Sequence, residues 1–222
     1  DRILAVSADA DGDCSYMREA AAGVTRVRPR VEDVLMLKPD LVVRAFGGGA
    51  DAASMFERAG IPVLQVGWAN DLDGVRRVTL EMADGLGVPE TGAALVADMD
   101  ARLARLATAP QPDTILYMTP GGVTSGSGTL VNEMLQAAGF ANYVETQGWQ
   151  ALPLEQLAYQ SPDRVAYASF SSHKTPWSTA RHPIARAQVR DLPTVNLQGA
   201  WTSCGGWYLV DAIEALAGEA EQ

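Results

Sequence analysis

Val31-Glu-Asp-Val-Leu-Met-Leu-Lys-Pro-Asp-Leu-Val-Val43 has a counterpart later in the chain, Leu154-Glu-Gln-Leu-Ala-Tyr-Gln-Ser-Pro-Asp-Arg-Val-Ala166, and the two align without a gap. Val31 falls on Leu154, Glu32 on Glu155, Val34 on Leu157, Pro39 on Pro162, Asp40 on Asp163 and Val42 on Val165. Each copy has apolar residues at helical spacing, a proline that a helix cannot run through, and then an apolar run suited to a buried strand. Helix, Pro-Asp, strand is half of an α/β crossover. One copy in each half of the chain therefore predicts two similar α/β lobes, with Glu32 and Glu155 at equivalent places.

Working outward, the first half reads as a strand over 3–7, a helix over 15–22, a strand over 41–46 running into Gly47-Gly48-Gly49, a helix over 51–59 and a strand over 61–66. From Asp71 the chain turns helical, with one interruption between Gly85 and Pro89. The segment from Glu90 to Thr108 carries Leu95, Val96, Met99, Leu103 and Leu106 as an apolar stripe, which predicts a long helix crossing between lobes. The expected division is thus 1–89, a connecting helix over 90–109, and 110–222. The second half restarts with a strand over 114–118, the Gly/Ser-rich loop 119–128, and a helix over 129–138 stopped by Gly139. After the second repeat copy come a polar, aromatic loop over 171–181, a strand over 194–197 and a closing helix over 206–217. Strand, loop, helix, strand in this order is what a parallel sheet covered by helices produces.

The chain has 222 residues, 47% of them hydrophobic, which is enough for one large core or two modest ones. Its 17 Lys and Arg against 27 Asp and Glu give a net charge of −10, which argues against nucleic acid as a partner and leaves an acidic surface facing a basic protein open. No apolar run is long enough to span a bilayer, and without a basic and apolar leader in these residues the expectation is either a cytoplasmic protein or one whose export signal has been removed. Cys14 and Cys204 are too few for a disulfide scaffold and lack metal-ligand spacing. Whether they pair is left open, since an exported chain would permit it.

Ligands of open α/β sheets bind beyond the carboxyl ends of the strands. In this sequence those ends hold Arg44, Phe46, Trp68, Tyr117, the loop with His173, Lys174, Trp177 and Arg181, and Trp201, with Trp149 just before the second repeat helix. Lobe core is the plain alternative for Trp68, Tyr117 and Trp207. His173 and His182 in one loop do not make a metal cluster. A Gly/Ser turn opening a helix, as in Thr124-Ser-Gly-Ser-Gly128, could also hold a phosphate, which keeps a nucleotide-binding enzyme as the competing reading. Against it, the P-loop lysine is absent and no nucleophile, base and orienting acid can be named.

Taken together, Glu32 to Val43, Val123-Thr-Ser-Gly-Ser-Gly128 continuing through Leu135-Gln-Ala-Ala-Gly139 and Asn142, Leu154 to Val165, and the ending Trp201 to Leu216 resemble the class III periplasmic substrate-binding proteins of ABC importers, which carry ferric siderophores, haem and cobalamin. The resemblance implies an α/β fold of two Rossmann-like lobes with parallel sheets joined by one long helix, a periplasmic location, no catalysis and no cofactor. It implies that the ligand is an iron or cobalt chelate held between the lobes, and that Glu32 and Glu155 dock on the importer's permease. A first-turn glutamate also suits the helix dipole without any partner. Its recurrence in both halves is what favours docking. The cobalamin-binding members have cleft tryptophans matching Trp149 and Trp201, but their early first-lobe aromatic has no counterpart in Ala8 to Cys14. Arg44, Lys174 and Arg181 suit an anionic ferric siderophore, which makes that the first expectation and cobalamin or haem the alternative. Family members also begin with a further strand and helix, so the first lobe is expected to lack a strand and to expose a sheet edge.

Overall fold

The N-terminal half runs β1 (Ala5–Ser7), β2 (Thr25–Val27), α1 (Val31–Leu35), β3 (Val42–Arg44), α2 (Ala52–Arg58) and β4 (Val63–Gln65). Two long helices follow, α3 (Leu72–Gly85) and α4 (Pro89–Arg105). The C-terminal half contains β5 (Thr114–Met118), β6 (Val123–Ser125), α5 (Leu130–Ala137), β7 (Ala141–Asn142), β8 (Trp149–Ala151), α6 (Leu154–Tyr159), β9 (Arg164–Ser169), α7 (Pro183–Asp191), β10 (Thr194–Gln198), α8 (Gly199–Thr202) and α9 (Leu209–Ala220). This computed structural model describes residues 2–45, 51–106, 113–169 and 177–220.

Both repeat copies fold alike. α1 begins at Val31 and α6 at the aligned Leu154, and Val31 and Leu157 are buried while Glu32 and Glu155 point to solvent. After the first helix Lys38 adopts a left-handed backbone (φ 50), and Pro39 then bars any continuation. In the second copy the Pro-Asp pair has a visible task. Asp163 Oδ2 accepts from the Thr114 backbone N–H and from its hydroxyl, each at 2.7 Å, which pins the start of β9 to the start of β5. Those hydrogen bonds lower the Asp163 pKa from the ordinary carboxyl value.

The sheets are parallel where the crossovers require it. β1 pairs with β2, β3 with β4, and the C-terminal half holds the four-stranded order β10-β9-β5-β7, all parallel. Strands β5 and β9 bury Ile115, Leu116, Tyr117, Met118, Val165, Ala166 and Ala168 with almost no exposed area, as expected for a sheet covered on both faces. One face packs on α5 and α9 through Met134, Leu135, Ile213 and Leu216, the other on α6 and α7 through Leu157 and Ala185. The N-terminal core is thinner, centred on Val31, Ala52 and Phe56.

Helix starts follow local chemistry. Asp71 caps α3 by accepting from Gly74 N–H at 2.6 Å, and Thr129 caps α5 by accepting from Asn132 N–H at 3.2 Å, each contributing about 1 kcal/mol. Pro89 opens α4 at a first-turn position where its missing N–H costs nothing. Helices α3 and α4 pack closely enough that Gly92 lies directly over the Ala83 methyl.

Two expectations need correction, and one segment with no sequence assignment is helical. Residues 15–22 do not form a continuous helix; they make linked turns such as Arg18 N–H to Ser15 O and Ala21 N–H to Met17 O. The loop 119–128 is not all loop, since β6 within it pairs antiparallel with β8, Ser125 opposite Trp149. The stretch after Arg181 forms helix α7, capped by His182, whose Nδ1 accepts from Ile184 N–H at 3.3 Å.

Candidate functional site

The C-terminal strand ends in the second half form one wall of a cleft. Ser169 ends β9, Gln198 ends β10, and Gly199, Ala200 and Trp201 of α8 follow directly. Opposite stands the loop after β1, with Asp13, Ser15, Tyr16, Arg18 and Glu19, and the space between is about 300 Å³. Its lining is polar: Arg18 pairs with Asp13 at 2.9 Å, and Glu19 adds a second carboxylate. The structure thus opens a site where strand carboxyl ends from both halves face one another, which is the position α/β sheets provide for ligands.

Trp201 lines this cleft from within α8, half-buried, with its other side against the C-terminal core. Trp149 stands on β8 rather than in a loop and is 56% exposed. Tyr117 is not a surface wall as the sequence suggests. It is 1% exposed, lies behind Trp149 with ring centroids 6.2 Å apart at 74°, and its hydroxyl donates to Thr202 Oγ1 at 3.4 Å. A buried side chain cannot touch a ligand, so Tyr117 acts as the support that holds Trp149 and α8 in place. Burial pushes its pKa up to about 12, so it stays neutral.

The remaining candidates lie apart from that cleft's lining. Trp68, 69% exposed, is held by an indole N–H donated to Asn70 Oδ1 at 2.7 Å. Arg44 ends β3, half-buried, its backbone carbonyl accepting from Val66 N–H. Trp177 is 94% exposed, and the residues after it are anchored to the Gly/Ser loop, Ser178 Oγ to Pro120 O at 2.5 Å and Thr179 Oγ1 to Gly122 O at 2.8 Å. Arg181 ends that short turn and is exposed. Phe46, His173 and Lys174 lie outside the described residues.

Sequence reading missed the near wall, Asp13 to Glu19. The signal was present, because this loop follows the first strand and the strand-end rule applies there too. The expected helix over 15–22 drew attention away from it. Tyr16, just past the segment searched for an early aromatic, stacks on Tyr208 (centroids 4.1 Å, planes 8° apart), meets Trp207 edge-on, and donates its hydroxyl to Asp211 Oδ2 at 2.8 Å. Asp211 also accepts from Arg102 of α4 at 2.6 Å, and Arg102 is bound by Glu214 as well. The loop after β1, the long helix α4 and the closing helix α9 are therefore tied into one network.

The Gly/Ser loop does not present a phosphate cradle. Gly122 N–H donates to Thr119 O, Val123 N–H to Thr119 Oγ1 and Gly126 N–H to Gly148 O. The side chains of Ser125, Thr129, Asn132 and Asn142 are linked to one another or to this backbone, so the turn is a buried structural corner. Among the described residues no group of three or more His, Cys, Asp or Glu is arranged to hold a metal, and no helix is long and apolar enough to cross a membrane.

Comparison with solved structures gives the same architecture at low identity. A periplasmic heme binding protein from Pseudomonas aeruginosa superimposes with a TM-score of 0.72 at 23% identity, covering 97% of this chain and 83% of that one. The periplasmic heme binding protein HutB of Vibrio cholerae gives 0.77 at 16%, covering 99% and 90%. An ABC-type Fe3+-hydroxamate transport system protein from Saccharomonospora viridis gives 0.67 at 19%, covering 93% and 80%. No functionally curated protein matches the sequence. The family model described as periplasmic binding protein matches residues 7–175, and with the two-walled cleft it identifies the chain as a member of that family, the non-enzymatic solute-binding components of ABC importers that work outside the cytoplasmic membrane.

Proposed function

We propose that this protein captures a metal chelate, in the first place a ferric siderophore, in the cleft between the loop after β1 and the ends of β9 and β10, and delivers it to an ABC permease. The carrying observation is the cleft itself, with Trp201 on one wall and Asp13 to Glu19 on the other. Trp149, 56% exposed and edge-on to Tyr117, would offer a further aromatic face to a bulky ligand. Capture needs no chemistry on the ligand, and the chelated metal needs no ligand from the protein. The division that serves this reading places one lobe before α4 and one after it. Haem is the second reading, favoured by the likeness to heme-binding proteins of the same fold.

Tryptophan fluorescence titrated with ferric hydroxamate, ferric catecholate and ferric citrate complexes, haem and cobalamin tests this. One chelate is expected to quench saturably at micromolar levels or below. Trp149→Ala and Trp201→Ala are each expected to weaken it by roughly ten-fold, about 1.4 kcal/mol. Saturable binding that neither substitution affects would move the site elsewhere, and haem alone binding would select the second reading.

Glu32 and Glu155 support the delivery step. Each is the second residue of its helix and exposed, at equivalent places in the two halves. Reversing either charge to lysine is expected to cut ligand-driven transport in reconstituted vesicles by about ten-fold or more while leaving ligand affinity unchanged. Equal transport by wild type and the double variant would remove both residues from docking.

A further inference from the structure

We propose that Met36 and Tyr159 are contact anchors for the importer's permease, each standing one helical turn beyond a docking glutamate, so that both halves of the chain present the same pair of groups. The alignment that places Glu32 on Glu155 also places Met36 on Tyr159. Met36 closes α1, its backbone N–H donating to Glu32 O at 3.2 Å, and Tyr159 is the last residue of α6, four beyond Glu155. Residues four apart lie one above the other on a helix, so each large side chain shares its glutamate's face. The core is met elsewhere on each helix, through Val31 in α1 and Leu157 in α6. Met36 is left 81% exposed and Tyr159 90%.

A single exposed apolar residue is ordinary on any protein surface and calls for no partner. Here two fall on aligned positions, at the same spacing from aligned carboxylates, and Met and Tyr are residue types enriched where proteins meet. A partner that offers two similar surfaces accounts for both copies at once. Charge gives its chemistry. The chain carries a net charge of −10, Glu32 and Asp33 open α1, and no basic residue lies between Leu154 and Asp163. Beside the second patch, Gln156 and Gln160 line a recess of about 370 Å³ together with Glu145, which adds a carboxylate there. The fitting surface is a basic side chain next to an apolar hollow, presented twice. This inference rests on the reading of Glu32 and Glu155 as docking residues and adds a contact of a different physical kind. Carboxylates attract at a distance and are screened by salt, whereas burial of Met36 and Tyr159 acts only at contact and persists in salt.

The test is binding of the protein to the cognate permease with its ATPases in lipid nanodiscs, measured at low and at high salt. Met36→Gln and Tyr159→Gln are each expected to weaken binding by about five- to ten-fold at both salt concentrations, with an unchanged thermal midpoint. Glu32→Lys and Glu155→Lys are expected to lose most of their effect in high salt. Full binding by the Met36→Gln, Tyr159→Gln double variant, with the glutamate variants still impaired, would overturn the anchors and leave the docking glutamates in place. No effect from any of the four substitutions would overturn both readings. Wild-type dimers that the double variant dissolves would assign the two patches to contact between copies of this chain and overturn the permease role.

Discussion

Gly126→Ala is expected to destabilise the protein by about 3–5 kcal/mol, at the upper end of what one substitution does. A methyl at this position would lie 1.8 Å from the Thr146 carbonyl oxygen and 3.0 Å from that of Val144, and both obstacles are backbone. No rotamer change relieves such a contact. The β6 corner would have to open, and with it the hydrogen bonds from Gly126 N–H to Gly148 O and from Asn142 Nδ2 to Ser125 O. For a chain of this length the thermal midpoint should fall by about 10 °C. Gly148→Ala is the matched control: its backbone is left-handed (φ 85) but nothing lies within 4 Å of the new methyl, so only about 1 kcal/mol of backbone strain is expected. Denaturant melts of the two variants give the comparison, and equal losses would contradict the packing at β6.

Arg102→Met is expected to cost about 2–3 kcal/mol at neutral pH. The guanidinium donates to Asp211 Oδ1 at 2.6 Å and to Glu214 Oε1 at 2.8 Å, and only 18% of its side chain is exposed. Charged hydrogen bonds of this kind contribute about 1.5–3 kcal/mol each, and the partial exposure of both carboxylates reduces the total below that of a fully buried pair. The loss should also depend on pH. Arg102 holds the Glu214 pKa below its ordinary value of 4.5, so this stabilisation is complete above that value and is lost as pH falls through the lower folded pKa. The gap between variant and wild type should therefore be constant near neutrality and narrow in acid. An exposed pair behaves differently: Arg190→Met, facing Asp191 on the surface, should leave the denaturation midpoint essentially unchanged. Because Asp211 also accepts from Tyr16, loss of Arg102 should loosen the near wall of the cleft as well as the α4–α9 contact.

What sequence reasoning missed has common physical causes. The helix expected over 15–22 rests on local spacing, but Tyr16 gains more from stacking on Tyr208 and bonding Asp211 than the segment gains from a regular helix. A partner almost the whole chain away leaves no mark on local periodicity. β6 and β8 were hidden for a related reason: three-residue strands among glycines carry too few side chains for alternation to show, and their pairing is visible only once the chain has folded back. Tyr117 stands in an apolar run as a cleft aromatic would, and burial behind Trp149 was decided by the order in which β5 sits beside β9 and β7.

By itself the sequence determined the α/β class, the parallel strands β5, β9 and β10, the break between α3 and α4, the equivalence of the two repeat copies, and the exposure of Glu32 and Glu155. These rest on short-range rules, where apolar period, proline and caps act within a few residues. Only the tertiary structure decided that Asp13 to Glu19 face Trp201 across a cleft, that Tyr117 supports rather than lines it, and that Tyr16 is tied to Tyr208 and Asp211. Such contacts join residues whose proximity is set by the packing of whole helices and sheets, and no local spacing encodes them.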